Sequence, residues 1–283
     1  MTSIDLNALI KVGTTIALNE SAMKTFKHTL AVTLVWLAAS PIALGGGIVA
    51  PGTGIWGTEH DFTGNATHVP IDGVTEVGLC SICHTPHSAL TTKLLWNQTL
   101  TTATFNWGAT TTTGGTTLPN SAHLGPSTKC LSCHDGTVAV GDVNMYRGKR
   151  QAFPTGETII MRFGRGGNGV GYRGDMSGVH PIGVPYPLNN VTGTYNGMTT
   201  GNEVILAEYI GNPHSPTTGA VKLYTDDGNG VMTPGATAGA SGIECTTCHD
   251  PHNKQAQDEF FVRGKLAGSS AASGYICMQC HIK

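Results

Sequence analysis

One apolar run stands out along the chain: Leu30-Ala-Val-Thr-Leu-Val-Trp-Leu-Ala-Ala-Ser-Pro-Ile-Ala-Leu44, behind Lys24 and Lys27 and ahead of Gly45-Gly-Gly. A membrane-spanning helix needs about 20 apolar residues, and Pro41 interrupts a helix near the end of this run. A basic flank, a short apolar stretch and small residues at its end have the layout of a secretory signal; a buried core helix is the alternative. Ala43 and Gly45 suit a signal peptidase, which sets the mature start near Gly46. The stretch Met1 to Ala22 carries Asp5 and Glu20 and fits poorly as the front of a signal, so the expected translation start is Met23. No other segment is apolar enough to span a bilayer.

Past residue 45 the pattern predicts little regular structure: short helices at the cysteine motifs and loops elsewhere. Asp226-Asp-Gly-Asn-Gly230 brushes against a calcium-loop pattern but lacks the distal Glu; Asp-Gly and Asn-Gly favour turns, and the segment is expected to be a hairpin turn. The glycine-rich stretch 161–174 lacks the Gly-Lys-Ser/Thr ending of a phosphate loop and follows no strand signal, which predicts a surface loop. Asn65-Ala-Thr67, Asn97-Gln-Thr99 and Asn190-Val-Thr192 are open as glycan acceptors.

Composition sharpens the problem. With 39 Gly in 283 residues, 12% charged residues and 6% aromatic residues, a large core of Phe, Tyr and Trp is not available. Something other than side chains is expected to fill the interior. The net charge of −2 provides no basic stripe of the kind that tracks phosphates, which excludes nucleic-acid binding. So weakly charged a surface permits self-association.

The eight cysteines supply the answer. They fall as Cys80-Ser-Ile-Cys83-His84, Cys130-Leu-Ser-Cys133-His134, Cys245-Thr-Thr-Cys248-His249 and Cys277-Met-Gln-Cys280-His281. C-x-x-C-H is the attachment signature of a c-type haem: two thiols add to the vinyl groups as thioethers, and the adjacent His reaches the iron. Zinc would take two pairs per metal and needs no following His; four disulfides would leave the histidines unexplained. Four covalent haems also supply the missing apolar interior, wrapped by Gly- and Thr-rich loops. Export agrees, since this attachment takes place outside the cytoplasm. The expected fold is mostly irregular and loop-rich with a few short helices, a multihaem cytochrome c wrapped around a haem stack. The expected organisation is a precursor segment 1–45 and one tetrahaem domain 46–283, made of two haem-pair units at about 59–150 and 175–283.

With His84, His134, His249 and His281 as proximal ligands, the distal candidates are His60, His68, His87, His123, His180, His214 and His252. Cys83-His84-Thr-Pro-His87 and Cys248-His249-Asp-Pro-His252 repeat one pattern. A His three residues past the proximal one is too close to reach the far face of its own haem and must ligate another. Each unit then reads as an upstream His, a C-x-x-C-H-x-P-H and a plain C-x-x-C-H. The upstream His is His60 or His68 in the first unit and His180 or His214 in the second. His123 precedes Cys130 by seven residues and is a further candidate, and a Met ligand to one iron stays open.

Glu59-His60-Asp-Phe62, Cys83-His84-Thr-Pro-His87-Ser-Ala, Leu95-Trp96-Asn97, Gly125-Pro-Ser-Thr-Lys-Cys130-Leu-Ser-Cys133-His134-Asp-Gly-Thr-Val-Ala139, His180-Pro-Ile-Gly183 and Cys248-His249-Asp-Pro-His252-Asn resemble the tetrahaem cytochromes of respiratory metal reducers. That group includes extracellular cytochromes that polymerise into filaments of stacked, bis-histidine haems. The resemblance implies His60, His87, His180 and His252 as distal ligands, with His60 ligating a haem of the neighbouring subunit. It implies electron transfer rather than catalysis, an extracellular or cell-surface location, a homopolymer, and electron-donor cytochromes and extracellular acceptors as partners. A soluble periplasmic shuttle needs only internal ligands, which His68, His123 and His214 could complete. A multihaem reductase needs an iron with an open distal side and charged residues for its substrate; no clustered Arg/Lys pocket is visible.

Overall fold

Few stretches of this Gly- and Thr-rich chain can nucleate a helix, and the computed structural model has short elements joined by tightly bonded turns. It describes residues 49–63, 79–90, 94–107, 125–138, 140–145, 174–201, 204–215 and 221–282. The expected signal segment and start site, Asn65, His68, His123 and most of the glycine-rich loop lie outside them. The described elements all belong to the unit Ile48–Lys283. Among the described residues no helix is long and apolar enough to cross a membrane.

Helix α1, Ser127–His134, is the longest among the described residues. Pro126 precedes it, with φ preset for a helix start and no N–H to leave unpaired; Gly136, at φ 71°, lets the chain leave in the left-handed region. Helix α2, Cys245–Cys248, is one turn, and a 3-10 turn, Ile276–Gln279, overlaps the last motif. The expectation of short helices at the cysteine motifs holds for these three. The first motif forms a turn instead, though one closed by the same bond, from the His84 N–H to the Cys80 carbonyl at 2.8 Å.

Among the described residues six two- and three-residue strands follow in the second half. They are β1 (Val184–Pro185), β2 (Thr194–Tyr195), β3 (Met198–Thr199), β4 (Tyr224–Asp226), β5 (Met232–Pro234) and β6 (Ser241–Ile243). The larger sheet has the order β1-β6-β4-β5, all antiparallel, with Val184 opposite Ile243 and Tyr224 opposite both Gly242 and Pro234. β2 and β3 form a hairpin over Asn196-Gly197, both at positive φ, as a two-residue primed turn requires. The hairpin turn expected at Asp226–Gly230 joins β4 to β5. Its carboxylates are used internally: Asp226 Oδ1 accepts from the Gly228 N–H, and Asp227 Oδ1 from those of Asn229 and Val231.

Among the described residues two small apolar clusters form the core. Val184, Tyr186, Leu188, Met198, Leu223 and Ile243 pack under the sheet with Cys280 at their edge. Phe105, Trp107, Leu131, Met176 and Ile182 pack around α1 with Cys245 at theirs. Attachment cysteines thus border both clusters. Asn97 is fully buried and donates its amide N–H groups to the Ser81 and Met145 carbonyls at 2.6 and 3.0 Å, which removes it as a glycan acceptor. Asn190 is exposed.

Gly125, before α1, is required for a close approach: a Cβ there would overlap the Glu244 carboxylate. Gly125→Ala is expected to cost about 1–3 kcal/mol, as overpacking does. A lowered thermal midpoint with unchanged haem content checks this.

Candidate haem-binding site

Each attachment motif begins with the same turn. The N–H of the motif's His donates to the carbonyl of its first Cys, at 2.8 Å for His84 and 3.0 Å for His249 and His281; His134 closes α1. First thiol and imidazole therefore share one helical turn, as two bonds to a single macrocycle require. Burial, helped by neighbouring thiols, pushes the Cys83 and Cys248 thiols up to about 11 and Cys280 to about 12, and pushes Cys133 up as well. Such buried sites suit a thioether, which has no charge to desolvate. Among the described residues, no cluster of three or more His, Cys, Asp and Glu is placed to hold a bare metal ion. The residues fit a macrocycle that brings its own equatorial ligands.

The thiols also reveal an order. Cys83 acts electrostatically on Cys133, Cys130 on Cys245 and Cys277 on Cys248. Motifs adjacent in sequence are thus adjacent in space.

The repeated C-x-x-C-H-x-P-H pattern has a repeated structure. The Thr85 N–H donates to the Leu95 carbonyl at 2.8 Å, and the Asp250 N–H to that of Phe261 at 2.7 Å. Asn97 N–H donates to Cys83 O at 2.9 Å, and Arg263 N–H to Cys248 O at 2.8 Å. His84 bridges to Trp96, and His249 to Val262. In both copies two consecutive bulky residues, Leu94-Leu95 and Phe260-Phe261, sit at positive φ. This is a costly conformation for such side chains, and it persists only where its surroundings enforce it. Its consequence is local. The carbonyl of Leu94 lies 2.5 Å from His84 Nδ1, and that of Phe260 lies 2.7 Å from His249 Nδ1.

A carbonyl only accepts, so each of these Nδ1 atoms carries the proton and Nε2 keeps the lone pair that binds iron. His60 and His180 are held likewise, by Pro251 O at 3.2 Å and Pro181 O at 2.9 Å. His214 is the opposite case: its Nδ1 accepts from the Leu223 N–H at 2.9 Å, which puts the ring proton on Nε2. That tautomer does not suit ligation through Nε2.

Three pairs of imidazoles lie at nearly one separation, with interplanar angles of 63°, 27° and 59°. Ring centroids lie 6.1 Å apart for His60 and His134, 6.2 Å for His84 and His252, and 6.4 Å for His180 and His281. Two metal–nitrogen bonds of about 2 Å, plus the distance from each nitrogen to its ring centre, require roughly 6 Å across an iron. Burial depresses His60 below the usual imidazole value and His134 to about 4, so both rings are neutral, as ligation needs. Among the described residues His87 and His249 have no ring partner of this kind, and both are exposed.

Buried carboxylates brace the motifs, and sequence reasoning passed over them. Asp135, behind His134, accepts from the Thr101 hydroxyl at 2.5 Å and the Thr137 N–H at 2.8 Å. Glu244, at the start of α2, accepts from the Tyr195 hydroxyl at 2.9 Å and from the Ser127 N–H at 3.1 Å and hydroxyl. The Cys245 N–H donates in turn to Ser127 Oγ at 2.7 Å. An acidic residue directly before an attachment cysteine, in so weakly charged a chain, was the available signal. Burial, and then the Glu244 charge, push the Tyr195 phenol far above its ordinary value; burial raises Tyr186 too. Unfolded tyrosines ionise near pH 10 while these stay protonated, so their stabilisation is complete below about pH 10 and declines as pH rises beyond it. Unfolding midpoints across pH 8–12 are expected to fall more gently for Tyr195→Phe, whose baseline is lower.

The doubled CXXCH motif family matches residues 237–283, which carry the last two motifs. C-type cytochrome OmcS of Geobacter sulfurreducens is 26% identical over 197 residues, 69% of this chain and 36% of that protein. Together they support a multihaem c-type cytochrome. The chain spans about a third of the length of the relative it matches. For a multihaem cytochrome, the cysteine turns would hold covalent haem.

Proposed function

We propose that the chain is an exported tetrahaem electron carrier whose subunits assemble end to end into an extracellular filament. The observation that carries electron transfer is the recurrence of one imidazole separation, 6.1–6.4 Å, in three His pairs. Haem attached at each cysteine pair supplies a one-electron couple at iron. The chain's residues close the axial positions, hold the Nδ1 protons on carbonyls and space the attachment turns in series. Irons closed on both sides offer no place for an oxyanion or oxygen, which favours a carrier over a reductase.

The proposed axial pairs are His60 with His134, His252 with His84 and His180 with His281. His252, three residues past its own proximal ligand, then serves the haem of the first motif. His60 serves its own chain, in place of the neighbouring haem that the resemblance implied. It lies in a segment tied to the same chain by the bond from the Gly54 N–H to the Asn253 carbonyl, at 3.0 Å. His249 is left needing a sixth ligand. His87, exposed and with no ring partner among the described residues, is the donor we assign, reaching from a neighbouring copy; donation from His68 or His123 of the same chain belongs to the soluble shuttle.

Cryo-electron microscopy of the holoprotein from the cell surface tests this. Filaments with His87 of one subunit on the His249 iron of the next are expected. Discrete particles with every iron ligated from within would replace the filament with a diffusible carrier. An iron lacking a sixth ligand would bring back catalysis.

A further inference from the structure

The two C-x-x-C-H-x-P-H units share a backbone but not their charges. At equivalent positions the first has Thr85 and Asn97, and the second has Asp250 and Arg263, all four buried. The side chains occupy the same place. Asn97 Nδ2 donates to the Ser81 carbonyl at 2.6 Å, and Arg263 Nε donates to the Thr246 carbonyl at 3.1 Å, each just after the first cysteine of its motif. A neutral amide in one unit is therefore replaced by a guanidinium in the other.

That guanidinium has a partner at each of its three nitrogens. Its Nη1 donates to Gln255 Oε1 at 2.6 Å, and its Nη2 lies 3.6 Å from Asp250 Oδ1. Asp250 is also held by the N–H groups of Lys254 and Gln255, at 2.8 and 2.6 Å. Two further groups face the pair: Lys222, half-buried, acts electrostatically on both residues, and Tyr224 acts on Arg263. At these equivalent positions the second unit holds a guanidinium and a carboxylate, with the Lys222 ammonium beside them and the Glu244 carboxylate acting on Tyr224, where the first holds an amide and a hydroxyl. Fixed charge in a poorly hydrated site acts strongly on the charge of a nearby cofactor. A cation held against the motif favours the ferrous over the ferric state, because reduction adds an electron.

We infer that Arg263 holds the midpoint potential of the haem carried by Cys245 and Cys248 above that of the haem carried by Cys80 and Cys83, making two sites of one architecture unequal. The inference rests on the haem reading of the cysteine motifs. In a series of haems such a step favours residence of the electron at the third position over the first.

The test uses holoprotein with its covalent haem counted by mass, and midpoints followed by spectroelectrochemistry with each haem assigned by paramagnetic NMR. Arg263→Gln is expected to lower the midpoint of the Cys245/Cys248 haem by about a tenfold change in its reduced-to-oxidised ratio, 59 mV for one electron. Arg263→Lys, which keeps the charge, is expected to keep the midpoint within a few-fold of wild type in that ratio. The double variant Asp250→Asn/Arg263→Gln removes both charges and is expected to fall between the two. It also keeps the test open if a lone buried carboxylate blocks maturation. Midpoints that do not move, or that move together at all four haems, overturn the inference while leaving the proposed function standing. A wild-type chain with no thioether-bound haem overturns both.

Discussion

His60→Ala is expected to retain four covalent haems and to convert one iron in four from low to high spin. Attachment depends on the cysteines, none of which the substitution touches. Axial closure depends on the ring, which lies 6.1 Å from His134 and stacks on Phe261 at 4.7 Å. An alanine methyl reaches neither. The opened site is expected to bind carbon monoxide, visible as a ferrous spectral shift that wild type lacks. Loss of the stacked ring and of its bond to the Pro251 carbonyl is expected to cost about 2–4 kcal/mol, the range for deleting a large packed side chain. His87→Ala is the matched control: it is expected to leave the His134 iron low spin. Should His60→Ala instead abolish filaments while isolated subunits show a spectrum identical to wild type, His60 ligates a neighbouring haem, as the family resemblance implied.

The attachment chemistry was legible in the sequence because it is local: C-x-x-C-H places two thiols and an imidazole on one turn whatever the rest of the chain does. The C-x-x-C-H-x-P-H repeat was legible for the same reason, and its three-residue spacing already required His87 and His252 to serve other haems. The turn at Asp226–Gly230 followed from residues that favour positive φ. Pairing was not legible. That His252 meets His84, and His180 meets His281, depends on a path through many turns, none with a periodic signal. The carbonyls that fix the imidazole tautomers come from Leu94 and Phe260, apolar residues in a left-handed conformation that nothing in their identity announces. His214 was a reasonable reserve by position, and only its hydrogen bond from the Leu223 N–H argues against it. The two apolar clusters were not legible either, because they are assembled from Val, Ile, Leu, Met, Phe, Tyr and Trp residues scattered along the chain.

Glu244→Ala is expected to have the largest effect on stability of any substitution outside the haem ligands. One carboxylate holds the first residue of α1, through the Ser127 N–H and hydroxyl, and the buried Tyr195 phenol. Truncation leaves the Tyr195 hydroxyl and the Ser127 N–H buried without an acceptor, at about 1–3 kcal/mol each, so the loss is roughly 2–6 kcal/mol. For a chain of this size each kcal/mol shifts the thermal midpoint by roughly 2–4 °C. Glu244→Gln separates hydrogen bonding from charge: its amide oxygen can accept from the Ser127 N–H while its N–H donates to the Tyr195 oxygen, which can reverse its role. The Gln variant is therefore expected to lose much less than the Ala variant. Ser127 also accepts from the Cys245 N–H, so the same carboxylate couples the second attachment turn to the third. Faster hydrogen exchange at the Ser127 and Cys245 amides, with the β4–β5 hairpin amides unchanged, is the local signature. Equal midpoints for the Ala variant and wild type would mean that the two attachment turns are held together by their haems, with the Glu244 network contributing little.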